Sequence, residues 1–514
     1  MQRKKLPIGI QTFSEIREDD YYYVDKTALA CQLAQNGKAY FLSRPRRFGK
    51  SLLISTFAEL FAGNQPLFQG LAAEQQWDWS KQHPVIRISF AEGVVQSAEA
   101  VQKRIQEILE NQAQTAGLVY RTETIVGRFI ELIQKLHQQS QQKVVVLVDE
   151  YDKPILDNLA NLEQARAIRD ELRNFYSVIK GQDALLRFVF LTGVSKFSKV
   201  SLFSGLNHLN DITLDGRYSA LCGYTDADLD EVFAAELEGL DRAEVRHWYN
   251  GYNWLGESVY NPFDLLLLFQ KRDFRNYWFE TGTPTFLIDL LRQRQTFTPE
   301  LANLIAMEAL ISRFDVDDMP VEALMFQTGY LTIADHFKMG ALTEFTLKYP
   351  NYEVQASLNA LLLEVLMGHP SLPQPLMGPL YRLLLKGDLD GLKNLIHSLF
   401  ASIPYEWQRS TPIANYEGYY ASVFYSYFAA LGLDIRLEDI TNKERIDMTV
   451  LFNQQVFLFE FKVVEEVPEG KALEQLQKKG YAEKYRALKQ PIYLLGIEFS
   501  KTERQLVAFE VEKL

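Results

Sequence analysis

A short segment near residue 50 has the residue types that bind phosphate, between an apolar run that predicts a strand and an amphipathic run that predicts a helix. Gly49 permits close approach of the backbone to a phosphate, Lys50 can reach the outer phosphates, and the Ser51 hydroxyl can ligate Mg²⁺. Arg44 stands where the usual pattern has its first glycine. The residues predicted to contact a nucleotide here are Arg47, Phe48, Gly49, Lys50 and Ser51.

An acidic pair follows a second apolar run. Residues 144–148 are typical of a strand buried on both faces of a parallel sheet, and Asp149 and Glu150 come directly after it. Carboxylates at the carboxyl end of such a strand lie where ligands bind in open α/β sheets. We predict that Asp149 holds Mg²⁺ through water and that Glu150 polarises the attacking water. An ordinary strand that ends at the surface is the alternative interpretation.

Thr192 ends a third apolar run, from Phe188 to Leu191. A hydroxyl at this strand end can sense the γ-phosphate of a bound nucleotide. A capping or turn role explains the residue equally well.

A second set of residues that suits phosphate chemistry lies near the C-terminus. Asp447 and Glu460 fall on two predicted strands of one hairpin, so both carboxylates can meet at one divalent cation, for which Mg²⁺ is suited. Side chains alternate along a strand, so Glu460 and Lys462 share a face, and the lysine can orient a metal-bound water. Glu417, on a preceding predicted helix, is a candidate further metal or second-layer carboxylate. The alternative is that these charged residues form ordinary surface ion pairs.

The elements that must position the first set alternate strand and helix over residues 1–225, which favours a three-layer α/β domain. Residues 226–380 are mainly helical, and a helix followed by a small hairpin suggests a winged-helix-like module, although other small α+β pieces fit. Residues 381–514 combine helices with the strand pair 446–452 and 456–461. We therefore predict three domains with these bounds.

Bulk composition limits the compartment and the partners. The net charge is −12, which counts against a protein coated in nucleic acid but leaves room for a local basic groove. Two cysteines, far apart in sequence, fit neither a disulfide framework nor a zinc site. The chain start has no apolar segment typical of a secretory signal, and no apolar run reaches membrane-spanning length. We predict a cytoplasmic protein without a membrane partner.

The order of these motifs resembles that of bacterial predicted AAA-ATPase-like proteins with a C-terminal PD-(D/E)XK nuclease superfamily domain. The resemblance runs nearly end to end. The matching blocks are Tyr23-Val24-Asp25-Lys26-Thr27, Arg44-Pro45-Arg46-Arg47-Phe48-Gly49-Lys50-Ser51, Val148-Asp149-Glu150-Tyr151-Asp152-Lys153-Pro154, Leu191-Thr192-Gly193-Val194-Ser195-Lys196-Phe197-Ser198, Trp248-Tyr249-Asn250-Gly251-Tyr252, Phe326-Gln327-Thr328-Gly329-Tyr330-Leu331, Phe459-Glu460-Phe461-Lys462 and Gly480-Tyr481-Ala482-Glu483-Lys484-Tyr485.

The resemblance implies an α/β chain with a P-loop NTPase three-layer domain built on a parallel sheet. A helical, winged-helix-like middle region and a C-terminal α/β restriction-endonuclease-like domain follow. It also implies that Arg44 is a family trait and that Asp447, Glu460 and Lys462 fill the nuclease positions. Arg445-Ile446-Asp447 departs from the family pattern, since proline is expected directly before the aspartate.

Two functions from different classes remain open at this point. The first is an ATP- and Mg²⁺-dependent ATPase that regulates a metal-dependent nuclease acting on DNA, with RNA not excluded. The second is a nucleotide-switched interaction protein whose C-terminal domain binds nucleic acid or protein without cutting. An ATPase with an unrelated partner-binding tail is a third possibility, and a homo-oligomer is compatible with each of these.

Overall fold

The computed structural model describes two compact units. The first comprises Met1–Gly282 with Leu304–Asn351, and the second comprises Thr283–Asn303 with Tyr352–Leu514. The described residues are 3–196, 208–279, 291, 298–311, 315–367, 374–403, 418–440, 445–500, 502 and 505–514.

Helices and strands alternate through the early part of the first unit. Its described helices are α1 Phe13–Glu18, α2 Thr27–Asn36, α3 Lys50–Ala62, α4 Ala72–Gln76, α5 Ala98–Thr115, α6 Ile125–Ser140, α7 Lys153–Leu156, α8 Leu162–Gly181, α9 Asp226–Val232, α10 Ala234–Leu237, α11 Arg242–Tyr249, α12 Pro262–Lys271, α13 Glu308–Ile311 and α14 Val321–Thr328. Its described strands are β1 Ala39–Ser43, β2 Val85–Ser89, β3 Val144–Asp149, β4 Leu186–Gly193, β5 Asn210–Asp211, β6 Leu304–Met307, β7 Thr332–Met339 and β8 Leu342–Lys348.

Five parallel strands form the main sheet of this unit, in the order β2-β3-β4-β1-β5. Every residue of β1 and β3 is buried, as the uninterrupted apolar runs predict for strands covered on both faces. β4 lies between β1 and β3, so Ser43 pairs with Gly193 and Val148 pairs with Leu191. The carboxyl ends of these three strands therefore meet at one edge of the sheet.

A smaller antiparallel sheet, in the order β6-β8-β7, belongs to the same unit. Helix α14 precedes β7 and ends at Gly329, which adopts a left-handed conformation with φ 93°. A helix followed by a hairpin is thus present as the sequence predicts. The winged-helix interpretation of this part of the chain stays a prediction.

The second unit contains a mixed sheet of five strands in the order β13-β12-β11-β10-β9. Its described helices are α15 Tyr352–Met367, α16 Gln374–Lys386, α17 Leu389–Ala401, α18 Gly418–Ala429 and α19 Lys471–Lys479. Its described strands are β9 Asp434–Ile440, β10 Arg445–Phe452, β11 Gln455–Val464, β12 Ile492–Ser500 and β13 Leu506–Lys513.

Strands β10 and β11 form the predicted hairpin. Phe452 pairs with Gln455, and the two turn residues Asn453 and Gln454 have φ of 49° and 57°. Left-handed values at both central positions give the twist that a two-residue hairpin requires. Aromatic packing covers one face, where Phe424 of α18 contacts the ring of Phe459 with a centroid distance of 5.2 Å.

The α/β class and the parallel N-terminal sheet are confirmed, and the C-terminal mixed sheet is consistent with the predicted nuclease-like domain. Helix α19 ends before the left-handed Gly480, and Tyr481 starts a 3-10 helix, Tyr481–Leu488. The three-domain division at residues 225 and 380 stays a prediction. Among the described residues, we find no helix that combines the length and apolarity of a membrane span.

Candidate functional site

The phosphate-type loop joins β1 to α3 at the edge where the parallel strands end. Gly49 caps α3 with φ 87°, a conformation that L side chains rarely adopt, and a side chain there would meet open space. The glycine is therefore required for its backbone conformation rather than for room. Lys50 Nζ donates hydrogen bonds to the main-chain oxygens of Arg44 and Pro45, at 2.9 and 2.8 Å. The loop thus closes around its own lysine.

Arg44, at the position of the expected glycine, is used inside the fold. Its side chain is buried, and its guanidinium donates to the carbonyl oxygens of Ser43 at 2.8 Å, Thr213 at 2.9 Å and Tyr218 at 3.2 Å. The guanidinium also lies over the ring of Trp254, 4.1 Å from its centroid. Burial lowers the pKa of Arg44 to about 10. The departure from the glycine pattern therefore fixes the base of the loop to a distant part of the chain.

A cavity of about 530 Å³ opens beside this loop, a size typical of small-molecule and cofactor sites. Its lining includes Gly49, Lys50, Ser51 and Glu150. The remaining predicted loop residues, Arg47 and Phe48, also line it. Apolar and aromatic residues of the lining include Ile10, Tyr22, Tyr23, Val24, Tyr224 and Phe263. The cavity therefore combines the predicted phosphate-contacting residues with apolar and aromatic side chains.

Arg47 contributes an exposed guanidinium to this cavity. Its backbone has a left-handed φ of 68°, and its guanidinium lies 4.5 Å from the ring centroid of Phe263, which also lines the cavity. The contact joins the Lys50 loop to an aromatic residue of the lining.

The acidic strand end is tied to its neighbour. Thr192 Oγ1 donates to Asp149 Oδ1 at 2.7 Å, and both residues are buried. Glu150 follows with φ 50°, and burial raises the pKa of its carboxyl while the Lys50 ammonium opposes that rise. Burial lowers the pKa of Lys50, whereas Asp149 and Glu150 favour its charged form. The structure thus brings together the lysine, the two carboxylates and the threonine that the sequence singles out.

Asp152 is a buried carboxylate that the sequence argument missed. It accepts hydrogen bonds from the amides of Val194 at 3.1 Å and Ser195 at 2.6 Å, and from the Ser195 hydroxyl at 2.5 Å. A side chain on Gly193 would lie 2.5 Å from Asp152 Oδ1, so the loop after β4 approaches too closely for any other residue. The sequence does offer one indication of its importance, because Asp152 falls within the matching block 148–154.

The second predicted set comes together on the β10–β11 hairpin of the second unit. Asp447 Oδ2 accepts a hydrogen bond from the Phe461 amide at 2.8 Å, and Lys462 Nζ lies 3.0 Å from Glu460 Oε1. Glu460 is 1% exposed, and its Oε2 has no hydrogen-bond partner among the described residues. Burial raises the pKa of Glu460 to about 7; the charge of Asp447 also raises it, and Lys462 lowers it.

This donor set fits a divalent cation. An unpartnered carboxylate oxygen in a buried setting is costly unless a cation or a proton meets it, and hard cations such as Mg²⁺ prefer oxygen ligands. The described residues contain no group of three or more His, Cys, Asp or Glu side chains arranged for a metal. Glu417, the predicted additional ligand, lies outside the described residues.

Glu498 is a second buried carboxylate that the sequence argument missed. It accepts from the amides of Glu469 at 2.6 Å and Lys471 at 2.8 Å, at the start of α19. A side chain on Gly496, which pairs with Glu460 across β11 and β12, would lie 2.3 Å from the Leu473 amide nitrogen. Helix α19 therefore packs closely on the sheet face next to Glu460.

Comparisons with known proteins place both sites within recognised families. The chain matches a family model described as predicted AAA-ATPase over residues 7–203. It matches the model of the PD-(D/E)XK nuclease superfamily over residues 415–509. It is 62% identical over 515 residues, with complete coverage of both chains, to a protein of Azotobacter chroococcum mcd 1 named "Uncharacterized protein in vnfD 5'region". The chain is thus similar to this relative from end to end.

Replacing Arg44 by glycine, which restores the usual loop pattern, is expected to destabilise the first unit. The change leaves three buried carbonyl oxygens without their donor and removes the contact with Trp254. We expect the free energy of unfolding to fall by on the order of 3 kcal/mol. Urea unfolding followed by tryptophan fluorescence measures this change. An Arg46→Gly variant, exposed in the same loop, serves as the control, and equal stability of Arg44→Gly and wild type would contradict the assignment.

The stability of the second unit should depend on pH through Glu460. The pKa of this carboxyl is about 7 in the folded protein, against an ordinary value of 4.5. Between these values the unfolded chain releases a proton that the folded chain keeps, so the contribution to stability is full below pH 4.5 and is lost as the pH rises through 7. Glu460→Gln removes this loss. In calorimetry with EDTA, we expect its Tm to exceed that of wild type by roughly 5 °C at pH 8 and to differ little at pH 5. A Tm difference that is the same at both pH values would contradict the assignment.

Proposed function

Since the chain belongs to the family of predicted AAA-ATPases with a PD-(D/E)XK nuclease superfamily domain, we propose that it hydrolyses ATP at the Lys50 loop and cleaves nucleic acid at Glu460, with nucleotide binding regulating cleavage. The observation that carries the ATPase half is that Lys50, Ser51 and Glu150 line one and the same cavity. The observation that carries the nuclease half is the buried oxygen of Glu460, beside Lys462, that has no hydrogen-bond partner within the described part of the chain.

At the first site, the backbone amides at the start of α3 bind phosphate oxygens, aided by the positive end of the helix dipole. Lys50 contacts the β- and γ-phosphates, and Arg47 and Phe48 line the remainder of the nucleotide site. Ser51 and Asp149 would hold Mg²⁺, with Asp149 acting through water and Thr192 keeping its carboxylate in place. When bound, Mg²⁺ would neutralise part of the negative charge on the ATP phosphates.

Glu150 acts as the base for an attacking water. The water oxygen bonds to the γ-phosphorus, the bond from that phosphorus to the β–γ bridging oxygen breaks, and ADP and phosphate result. The released proton goes to the Glu150 carboxylate and then to solvent. Burial, which raises the pKa of Glu150, makes it a stronger base than an exposed glutamate.

At the second site, Asp447 and Glu460 would hold Mg²⁺, with Glu417 a further candidate ligand. When bound, the cation would lower the pKa of water and neutralise charge on the scissile phosphate. Lys462, paired with Glu460, would orient the attacking water. The substrate is DNA, with RNA as the other candidate. Buried free thiols at Cys31 and Cys222 support a cytoplasmic setting.

A nucleotide-switched interaction protein is the second candidate function. The net charge of −12 and the small set of described carboxylates at the second site favour it. In that case the nuclease-like unit binds nucleic acid or protein but does not cut. Whether the protein forms a homo-oligomer stays a prediction under both candidates.

Two substitutions should separate nucleotide binding from hydrolysis. Lys50→Ala removes charge-assisted hydrogen bonds to phosphate, so we expect ATP affinity to fall about 100-fold. Glu150→Gln keeps the cavity but removes the base, so we expect unchanged binding and hydrolysis slower by about 100-fold or more. Calorimetric titration and phosphate release measure the two effects. If wild-type protein binds no ATP in the presence of Mg²⁺, the ATPase proposal is wrong.

Substitutions at the second site should abolish cleavage without affecting ATP binding. Glu460→Gln removes a metal ligand and Lys462→Ala removes the group that orients water, so each should lower cleavage by about 100-fold or more. The assay uses single- and double-stranded DNA and RNA with Mg²⁺ or Mn²⁺, with and without ATP. Lys386→Ala, an exposed lysine of the same unit, is the matched control. Mn²⁺ binding that Glu460→Gln removes, without any cleavage by wild type, would favour the interaction protein.

A further inference from the structure

The C-terminal turn of α14 packs directly on the Lys50 loop. A side chain on Gly329 would lie 2.7 Å from the Cβ and Cγ of Pro45, so only glycine permits this approach. Trp278 donates from Nε1 to the Arg46 carbonyl oxygen at 3.1 Å, and its ring lies 5.4 Å from that of Tyr330. Residues well beyond the last strand of the parallel sheet in sequence thus contact this loop.

The same turn holds the loop that follows β4. Gln327 is buried, and its Oε1 accepts a hydrogen bond from the Lys196 amide at 2.8 Å. Its Nε2 donates to the Ile311 carbonyl oxygen at 2.9 Å. A main-chain amide can only donate and a carbonyl can only accept, so this orientation of the carboxamide is chemically unique. Neither a leucine nor an ionised glutamate can make both bonds.

The Lys196 amide ends a short segment that begins at the acidic strand end. Thr192 binds Asp149, and Asp152 binds the amides of Val194 and Ser195. Gln327 therefore fixes the far end of a segment whose near end touches the proposed Mg²⁺ ligand.

We infer that Gln327 is a positioning residue of the nucleotide site, which sets the Thr192–Lys196 segment against the Lys50 loop so that Asp149 and Glu150 face the γ-phosphate. This inference rests on the proposed ATPase function. Gln327 touches no substrate and acts through the Lys196 amide. Gly329 packs against Pro45, and Trp278 donates to the Arg46 carbonyl oxygen, so both contact the Lys50 loop.

The test compares Gln327→Leu with wild type in full-length protein. Loss of the bond to Lys196 should lower kcat for ATP hydrolysis roughly tenfold, the factor that corresponds to one typical hydrogen bond. The Kd for ATP should change less than about threefold, since the groups that bind phosphate remain. Rates are divided by the folded fraction, because a purely structural role would reduce that fraction and leave kcat of the folded molecules unchanged.

Thr328→Val is the matched control. It removes a side-chain hydrogen bond on the same turn, from Thr328 Oγ1 to the Leu324 carbonyl oxygen at 2.6 Å, and leaves the Lys196 amide paired. Its kcat should equal that of wild type. Hydrogen exchange at the Lys196 amide should accelerate in Gln327→Leu alone, which checks that the intended bond was lost.

The outcomes separate this inference from the function on which it rests. Wild-type protein that does not hydrolyse ATP overturns both. Normal wild-type turnover with an unchanged kcat in Gln327→Leu, or an equal loss in Thr328→Val, overturns the positioning role alone.

Discussion

The parallel pairing of β1, β4 and β3 is the constraint on which the nucleotide site depends. Because β4 lies between the other two strands, the loop after β1 and the acidic end of β3 face each other across the tip of β4. The hydrogen bond from Thr192, near the end of β4, to Asp149, at the end of β3, links these two strand ends. Two charged groups at this edge have defined hydrogen-bond partners: Lys50 donates to loop carbonyls, and Asp152 accepts from amides and a hydroxyl. A buried charge without such partners would strongly destabilise the fold.

Much of this arrangement follows from local sequence. Uninterrupted apolar runs identify β1, β3 and β4, and the carboxylates directly after β3 mark the functional edge. The order of the strands in the sheet cannot be predicted in this way, because the periodicity of one strand does not tell which strand lies beside it. Arg44 illustrates the same limit: its partners Thr213, Tyr218 and Trp254 are remote in sequence, so only the fold explains why a cation replaces glycine. Asp152 and Glu498 escaped notice because a carboxylate that binds main-chain amides has no fixed sequence spacing.

The two units use one electrostatic device in unrelated folds. In each, a glutamate is withdrawn from water, burial raises its pKa, and one lysine offsets part of that change: Lys50 for Glu150, and Lys462 for Glu460. The glutamate gains basicity, and the side chain of the lysine lies close to where phosphate would bind. The hairpin of the second unit was predictable because alternation along β11 places Glu460 and Lys462 on one face. The exact burial of Glu460 was not, since it depends on how closely α19 approaches at Gly496.

The two-residue turn at Asn453 and Gln454 has a consequence for how this chain can change in length. Pairing of Phe452 with Gln455 fixes the alignment of the hairpin, and extending it brings Asp447 opposite Glu460. Successive side chains along a strand point to opposite faces of the sheet. A single residue gained or lost in either strand between the turn and the carboxylates would send one of them to the reverse side, unless a bulge absorbed it. The number of residues between the turn and each carboxylate can therefore change only by an even number if both carboxylates are to stay on one face of the hairpin.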